Sequence, residues 1–355
     1  MTCNLNFNSG FTSGICAAGA CKASAVFLHD KIIPEHVIIK NLDGKIFNLK
    51  VFHENNNKFY VIKNSGEAQD ITNGIKIFAE INLNDEHKIN FQAGEGVGII
   101  TLPGLKIPVG EPAINPVPRK IIINSIREIF KDDLNQGFNI KISIPNGEQI
   151  AKNTFNPRLG IIGGLSILGT TGIIKNMNEN ALLESLNLEL NMIKSLGYKN
   201  LYITFGNEGE KFLREILKVS GKNIIQCSNY PGHVIDQALN LNFESITISG
   251  HPGKLLKLAS GSFITHSKIS DGKFEALCTH LALNDVPHEI IKNIYSSNTT
   301  NEAIKIIEQN NLNFIWNVLA RRISERCAER INFKIPFNII FHDNNKNILG
   351  GHECK

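Results

Sequence analysis

The 355-residue chain lacks the features that would assign it to a membrane, secreted or nucleic-acid-binding class of protein. No apolar stretch approaches the roughly 20 residues that a membrane-spanning helix needs, and no basic segment precedes an apolar one at the N-terminus, as it does in a signal peptide. The net charge of +4 comes without a dense run of Lys and Arg, unlike that of a general nucleic-acid binder. These absences predict a cytoplasmic globular protein that binds neither membranes nor nucleic acid.

Cysteine and histidine occur without the spacings that disulfide frameworks and metal sites need. The seven cysteines are an odd number, and none of them form C-x-x-C. Neither a disulfide framework nor a structural zinc site is therefore expected. The H-E-x-x-H motif is also missing. We predict that the protein has no metal site of its own and works in a reducing compartment.

The distribution of apolar residues divides the chain into two parts, as its length also suggests. In residues 1–138, strand-like runs follow a helix rich in Ala and Gly, predicted at 15–28 and capped by Thr12 or Ser13. In residues 139–355, continuous apolar runs alternate with amphipathic helical stretches, which is typical of a parallel sheet. We predict an α+β N-terminal domain, followed by a Rossmann-like α/β domain with a mostly parallel sheet and a helical C-terminal extension.

Four predicted strands of the second domain end in a turn that contains glycine. Ligands of open α/β sheets bind beyond the carboxyl ends of the strands, so these turns predict a binding edge. Glycine permits close backbone approach, and helix N-terminal amides can donate to polar or anionic groups; turns also favour Gly, Asn and Ser without any ligand. The candidate cofactor contacts in these turns are Thr170, Thr171 and Gly172; Gly206 and Asn207; Ser228; and Gly250.

Familiar nucleotide-binding motifs are missing. The chain has no G-x-x-x-x-G-K-[ST], and the glycine-rich segment 94–98 precedes a strand-like run and not a helix. We interpret that segment as a flexible bend. A nicotinamide-dependent oxidoreductase that uses the same sheet edge stays open as an alternative, although it lacks the usual fingerprint.

Five segments, in this order along the chain, resemble the CbiD family of cobalt-precorrin-5B (C1)-methyltransferases. The most specific is GEGVGIITLPGLKIPVGEPAINPVPRKII, and the first is the small-residue helix with its hydroxyl-bearing cap. Single glycine motifs are weak signals, but an ordered set of this extent is specific. The segments are residues 10–25, 94–122, 143–174, 227–239 and 250–277.

The resemblance implies methylation of ring carbon C1 of cobalt-precorrin-5B by S-adenosyl-L-methionine, to give cobalt-precorrin-6A in anaerobic cobalamin biosynthesis. It implies an anionic cobalt-corrinoid substrate that carries its own cobalt. We expect the donor at the glycine-bearing turns, the corrinoid at the N-terminal helix and GEPAINPVPR, and the active site between the two domains. The expected substrate contacts are Thr12, Ser13, Glu111, Asn115 and Arg119.

Each expected substrate contact also has a purely structural explanation. Thr12, Ser13 and Asn115 can cap helices, Glu111 can form a turn, and Arg119 can be a solvated residue in the first turn of a proline-started helix. The sequence assigns no catalytic residue. A corrinoid-binding carrier without catalytic activity stays open, as do a homo-oligomer and transient contact with other enzymes of the pathway.

Two short segments depart from the family's pattern. Residues 66–73 stand where the family has an acidic run that ends in histidine; here Glu67 and Asp70 keep the charge, and Asn73 replaces the histidine. After Asn207, Glu-Gly-Glu replaces a Tyr-Gly-Arg pattern. These changes question an acid–base role for the first loop and suggest that contacts at the second differ.

Overall fold

The structure, a computed structural model, describes residues 10–68, 70–131, 133, 135–174 and 179–354; Cys3 and Gln69 lie outside them. The chain forms two compact units, Met1–Leu182 and Leu183–Lys355. This division corrects the predicted boundary between residues 138 and 139. That boundary would cut the strand Gly137–Ser143, which pairs on both sides with strands of the first unit.

The first unit contains the predicted small-residue helix and a mixed sheet. The sheet has the strand order β3-β4-β5-β8-β6, in which β6 and β8 are parallel and the other neighbours are antiparallel. The pairs β1–β2 and β7–β9 are antiparallel. The elements are α1 (Ser13–Asp30), β1 (His36–Lys40), β2 (Ile46–Lys50), β3 (Phe52–Asn55), β4 (Lys58–Ile62), β5 (Lys76–Asn84), β6 (Ile89–Ala93), β7 (Ile99–Ile100), α2 (Pro116–Arg127), β8 (Gly137–Ser143), α3 (Gly147–Ala151) and β9 (Ile161–Ile162).

Helix α1 is buried along most of its length because its side chains are small. An added Cβ on Gly19 would lie 2.7 Å from Cδ1 of Leu49, and one on Gly14 would lie 2.8 Å from Cγ of Pro118. The helix therefore approaches β2 and the first turn of α2 more closely than larger residues would allow. A helix without a polar face belongs in a core, and α1 forms the centre of the first unit's core.

The glycine-rich segment 94–98 is a closely packed crossing of backbone segments. Gly96 has a φ of +68°, and an added Cβ there would lie 1.9 Å from the carbonyl oxygen of Ile144. On the other side, a Cβ on Gly164 would lie 2.1 Å from the carbonyl oxygen of Gly96. Because only glycine combines a positive φ with such close approach, this segment is a packing device and not the flexible bend that the sequence suggested.

The second unit contains the predicted, mostly parallel sheet. Its strand order is β11-β10-β12-β13-β14, and every pairing is parallel except that of β13 with β14. The first element is α4 (Glu179–Ser195), within which the unit boundary falls. The elements that follow are β10 (Asn200–Thr204), α5 (Asn207–Glu215), β11 (Ile224–Gln226), α6 (Pro231–Asn240), β12 (Ser245–Gly250), α7 (Pro252–Ala259), α8 (Lys273–Ala282), α9 (His288–Tyr295), α10 (Thr300–Gln309), α11 (Ile315–Arg330), β13 (Phe337–His342) and β14 (Ile348–His352).

Parallel pairing brings the turns after β10, β11 and β12 to the same edge of this sheet. The helices α8 to α11 form the predicted helical segment, and the chain then returns to the sheet through β13. In the part of the chain that the structure describes, no helix is both long and apolar enough to cross a membrane.

The loop that departs from the family's pattern, residues 66–73, contains the counter-ion of a buried lysine. Lys63 is 3% exposed, and its ammonium donates to Oδ2 of Asp70 at 2.6 Å and to Oγ of Ser65 at 2.7 Å. Oδ1 of Asp70 accepts from the backbone and the hydroxyl of Thr72, and Oδ1 of Asn73 accepts from the backbone of Ser65. These contacts give the retained Asp70 and the substituted Asn73 structural roles.

We predict that Asp70→Asn lowers the free energy of unfolding at pH 7 by about 3 kcal/mol, because it leaves a buried ammonium without its carboxylate. Burial opposes ionisation of Asp70, but the hydrogen bonds from Lys63 and Thr72 prevail and lower its pKa. The stabilisation is therefore present above the ordinary pKa of an aspartate and is lost as the pH falls through the lowered value. Urea unfolding at several pH values measures both effects.

The double variant Lys63→Met/Asp70→Asn is the matched control, since it removes both charges. It should recover most of the stability that Asp70→Asn loses. Equal stability of the wild type and Asp70→Asn would contradict the structural role of the pair.

Candidate functional site

The turn after β10 leaves open space above Gly206, at the carboxyl edge of the parallel sheet. Gly206 has extended backbone (φ 176°), and an added Cβ would meet no described atom within 4 Å. Asn207 begins α5, and its Oδ1 accepts a hydrogen bond from Nε2 of Gln226 at 2.9 Å. The backbone does not need glycine at this position, and the space beside it is free for a ligand.

Acidic residues flank this turn. Glu208 and Glu210 lie in the first turn of α5, where the helix dipole favours negative charge. Glu208 pairs with Lys211 at 2.7 Å, and Glu210 accepts from Nε2 of Gln226 at 2.7 Å. Glu210 also pairs with Nη2 of Arg214 at 2.8 Å. Both carboxylates at the start of α5 are thus neutralised within the helix, and their oxygens can still accept hydrogen bonds from hydroxyl groups.

Buried polar atoms without a hydrogen-bond partner lie at the same edge of the sheet. Among the described residues, Oγ1 of Thr204, Oγ of Ser249 and Nε2 of His342 have none. They lie at or near the carboxyl ends of the neighbouring strands β10, β12 and β13. Unsatisfied buried groups are rare in folded proteins and are often found at functional sites.

The candidate residues Ser228 and Gly250, in the turns after β11 and β12, make contacts within the protein. Ser228 has a left-handed backbone (φ 55°), and its carbonyl oxygen accepts from Nζ of Lys254 at 3.2 Å. Gly250 is buried, and an added Cβ would lie 2.7 Å from the ring of Phe205. The structure thus gives Gly250 a packing role, while Ser228 offers its carbonyl to a lysine.

His251 caps α7 in a defined tautomer. Its Nδ1 accepts from the backbone of Gly253 at 3.2 Å, and its Nε2 lies 2.9 Å from Oδ1 of Asn301. Nε2 therefore carries the proton and donates. Burial lowers the pKa of this imidazole, so His251 is neutral at pH 7 and acts as a helix cap.

The turn that contains Thr170, Thr171 and Gly172 does not belong to this edge. The preceding run, predicted as a parallel strand of the second domain, forms β9, which pairs antiparallel with β7 in the first unit. An apolar run of this kind does not specify its partner strand. The prediction that four turns share one edge is therefore corrected: the turns after β10, β11 and β12 do, and this one does not.

The structure instead brings this turn to the start of α1. The carbonyl oxygen of Gly172 accepts from the backbone of Thr12 at 3.0 Å. The hydroxyl of Ser13 accepts from the backbone of Leu168 at 2.9 Å and donates to its carbonyl at 3.2 Å. Oγ1 of Thr12 caps α1 by accepting from the backbone of Ile15. The turn predicted to contact the donor thus lies beside Thr12 and Ser13, which are predicted to contact the substrate.

Arg119 holds the loop that precedes α2. Its Nη2 donates to Oε2 of Glu111 and to the carbonyl of Pro112, both at 3.1 Å, and its Nε donates to the carbonyl of Ile114 at 2.8 Å. Asn115 occupies the cap position of α2, but its exposed side chain makes no capping hydrogen bond. Glu111 and Arg119 are therefore paired, and the amide of Asn115 faces solvent.

Burial makes four of the six described thiols unsuited to nucleophilic chemistry. Cys16, Cys21, Cys227 and Cys327 are buried. Burial raises the pKa of Cys16 and of Cys227 to about 12, so both are protonated at pH 7 and the reactive thiolate is scarce. Within the described part of the chain, no group of three or more His, Cys, Asp or Glu is placed to hold a metal ion.

Curated relatives match the chain over nearly its whole length. A protein of Alkaliphilus metalliredigens named cobalt-precorrin-5B C(1)-methyltransferase is 40% identical, with 96% of this chain and 91% of that protein covered. A protein of the same name from Methanocaldococcus jannaschii is also 40% identical, with 97% and 96% covered. One from Salmonella typhimurium is 38% identical, with 91% and 86% covered.

A search of solved structures finds the 1.9 Å crystal structure of the cobalamin biosynthesis protein CbiD from Archaeoglobus fulgidus. It is 27% identical and covers 75% of this chain and 84% of that chain, with a TM-score of 0.41. The family models match both units. The CbiD model matches residues 3–176, and the model of the CbiD C-terminal domain matches residues 264–353. Because relatives at 40% identity cover nearly the whole chain and the two family models match it, the chain belongs to the CbiD family.

Proposed function

We propose that this protein is a cobalt-precorrin-5B C(1)-methyltransferase, which moves a methyl group from S-adenosyl-L-methionine to ring carbon C1 of cobalt-precorrin-5B and gives cobalt-precorrin-6A. The observation that carries the proposal is the 40% identity, over more than nine-tenths of both chains, to proteins of that name. The cobalt belongs to the substrate. The protein binds and aligns the two reactants.

The donor is assigned to the carboxyl edge of the parallel sheet, around Gly206 and Asn207. Open space above Gly206 admits a ligand close to the backbone. The carboxylate oxygens at the start of α5 suit the hydroxyls of a ribose. S-adenosyl-L-methionine supplies a methyl group already activated on that sulfonium.

The corrinoid is assigned to the start of α1 and the loop before α2. Its acetate and propionate arms are carboxylates, for which a guanidinium is a strong partner. The contacts of Arg119 among the described residues use Nε and Nη2, which leaves the hydrogens of Nη1 for a carboxylate. The exposed amide of Asn115 and the adjacent Thr170 turn can add polar contacts.

Alignment is the main catalytic contribution in this proposal. The methyl donor needs no nucleophilic side chain, because the macrocycle provides the electron pair. Holding two reactants in the reactive geometry can contribute about 7–11 kcal/mol to such a step. The protonated, buried thiols fit this role of the protein as a template.

The test of the proposal is anaerobic incubation of the protein with cobalt-precorrin-5B and S-adenosyl-L-methionine that carries a trideuteromethyl group, followed by mass analysis of the corrinoid. The corrinoid should gain one trideuteromethyl group in place of one hydrogen. Binding of the corrinoid without methylation would identify a carrier, and binding of NAD(P) in place of the donor would identify an oxidoreductase.

We predict that Gly206→Val weakens S-adenosyl-L-methionine binding at least tenfold, measured by calorimetry. The extended backbone accepts valine and its Cβ meets no protein atom, so the loss would come from obstruction of the ligand. Gly206→Ala is the graded control and should lose less affinity. Unchanged affinity in a folded Gly206→Val protein would place the donor elsewhere.

We predict that Arg119→Ala raises the KM for the corrinoid about ten- to a hundredfold, since a charge-assisted hydrogen bond to a carboxylate contributes about 1.5–3 kcal/mol. The affinity for the methyl donor should not change. Glu111→Gln is the control, because it removes the negative charge of the guanidinium's internal partner and keeps the cation. A flat KM with a lowered melting temperature would make Arg119 purely structural.

We predict that Cys16→Ala and His266→Ala keep measurable turnover, reduced at most about a hundredfold, because direct transfer from a sulfonium needs neither a thiol nor an imidazole. The exposed Cys354 offers a control as Cys354→Ala. Complete loss of activity in a folded Cys16→Ala protein, together with a methylated Cys16 trapped in the wild type, would contradict direct transfer.

A further inference from the structure

A cleft of about 330 Å³ in the second unit is rich in lysine. We call it the lysine cleft. Lys254 and Lys257 of α7 and Lys273 at the start of α8 line it, together with the polar residues Asn229 and Thr265. Neither the sequence motifs nor the contacts considered so far assign a function to these lysines.

The positive charge of the lysine cleft exceeds its negative charge. Among the described lining residues, Asp271 supplies the carboxylate opposite the ammonium groups of Lys254, Lys257 and Lys273. That carboxylate is 61% exposed and lies 2.6 Å from Nζ of Lys273, but 3.9 Å from Nζ of Lys257. Asp271 therefore pairs closely with Lys273 and only at the longer distance with Lys257, so one carboxylate faces three ammonium groups, and Lys254 has no carboxylate partner among the described lining residues.

Lys257 is a buried cation with a neutral partner. Lys257 is 4% exposed, and its Nζ donates a hydrogen bond to the carbonyl oxygen of Thr265 at 3.0 Å. An ammonium carries three donor hydrogens, so this bond leaves donor capacity. Burial lowers the pKa of Lys257, as expected of a charge whose loss of water is poorly compensated.

Lys254 lies where several strand ends meet. Its Nζ donates to the carbonyl of Ser228 at 3.2 Å and to Oδ1 of Asn229 at 3.0 Å, both in the turn after β11. It also lies 5.5 Å from the centre of the Phe205 ring, next to the turn after β10. Its partners among the described residues are neutral oxygens and a ring, and burial lowers its pKa as well. The cleft therefore adjoins the edge assigned to the methyl donor.

We propose that the lysine cleft binds a carboxylate group of one of the two reactants, through the ammonium groups of Lys254 and Lys257. Partly or fully buried cations are normally paired, and a bound carboxylate would supply the missing charge. The inference rests on the proposed function, in which carboxylates occur both on the arms of the corrinoid and on the methionyl end of S-adenosyl-L-methionine.

Lys254→Gln and Lys257→Gln test this inference by calorimetry with matched ligand pairs. The donor pair is S-adenosyl-L-methionine and its decarboxylated form. The corrinoid pair is cobyrinic acid and a corrinoid whose arms are all amidated. Exposed Lys305 on α10 provides the matched control as Lys305→Gln.

The wild type should prefer the carboxylate member of the pair that uses the cleft by about ten- to a hundredfold, as a charge-assisted contact provides. Lys254→Gln and Lys257→Gln should abolish that preference and leave the other pair unchanged, which identifies the source of the carboxylate. Lys305→Gln should keep both preferences.

The inference is overturned when folded variants keep the wild-type preference in both pairs. Because Nζ of Lys257 also holds the carbonyl of Thr265, melting temperatures accompany each titration, and Lys254→Gln suffices should Lys257→Gln unfold. Methylation by the wild type with unchanged preferences in the variants would refute the cleft alone. Failure of the wild type to methylate would refute the proposed function, whatever the titrations give.

Discussion

The close approach of α1 to its neighbours is the constraint on which the first unit depends. A helix with almost no side-chain bulk brings the backbone against β2 and α2, as the contacts of Gly14 and Gly19 require. That approach also sets the position of the loop at 168–172, whose backbone bonds to Thr12, Ser13 and Gly14 at the start of the helix. The surface assigned to the corrinoid is therefore a product of packing inside the core.

Much of the fold follows from the sequence because apolar periodicity reports whether a segment is a strand or a helix. The helix predicted at 15–28 is present, and so are the strands β10 to β12, which precede three of the glycine-bearing turns. Periodicity does not report which strands pair. The run at 159–167 looked like a strand of the parallel sheet, yet its regular part is the short β9 in the first unit. Strand β8 is not predicted from the sequence, so the predicted boundary between residues 138 and 139 falls inside it.

The role of a candidate site residue can be predicted from the sequence only where one physical cause explains why that residue type occurs at its position. Glycine can occur at the end of a strand for several reasons, and the structure distinguishes them. A side chain at Gly250 would collide with Phe205, Gly172 has a positive φ, and Gly206 lies beside open space. The sequence pattern does not predict the lysine cleft, because Lys254 and Lys257 are three residues apart, as on the solvated face of a helix. The apolar neighbours of Lys257 in LLKLA were the signal that this ammonium is buried.

The polar atoms without partners beneath α5 affect how firmly this helix is held to the sheet. Gly209 packs directly on Thr204, and the ring of Phe212 stacks on His342 at 4.3 Å. A buried polar group without a hydrogen bond costs about 1–3 kcal/mol, which is regained when water reaches it. Lifting α5 would hydrate both Thr204 and His342. Local opening at α5 is therefore less costly than its apolar contacts alone suggest, and its amide hydrogens would exchange with solvent sooner than those of the strands below it.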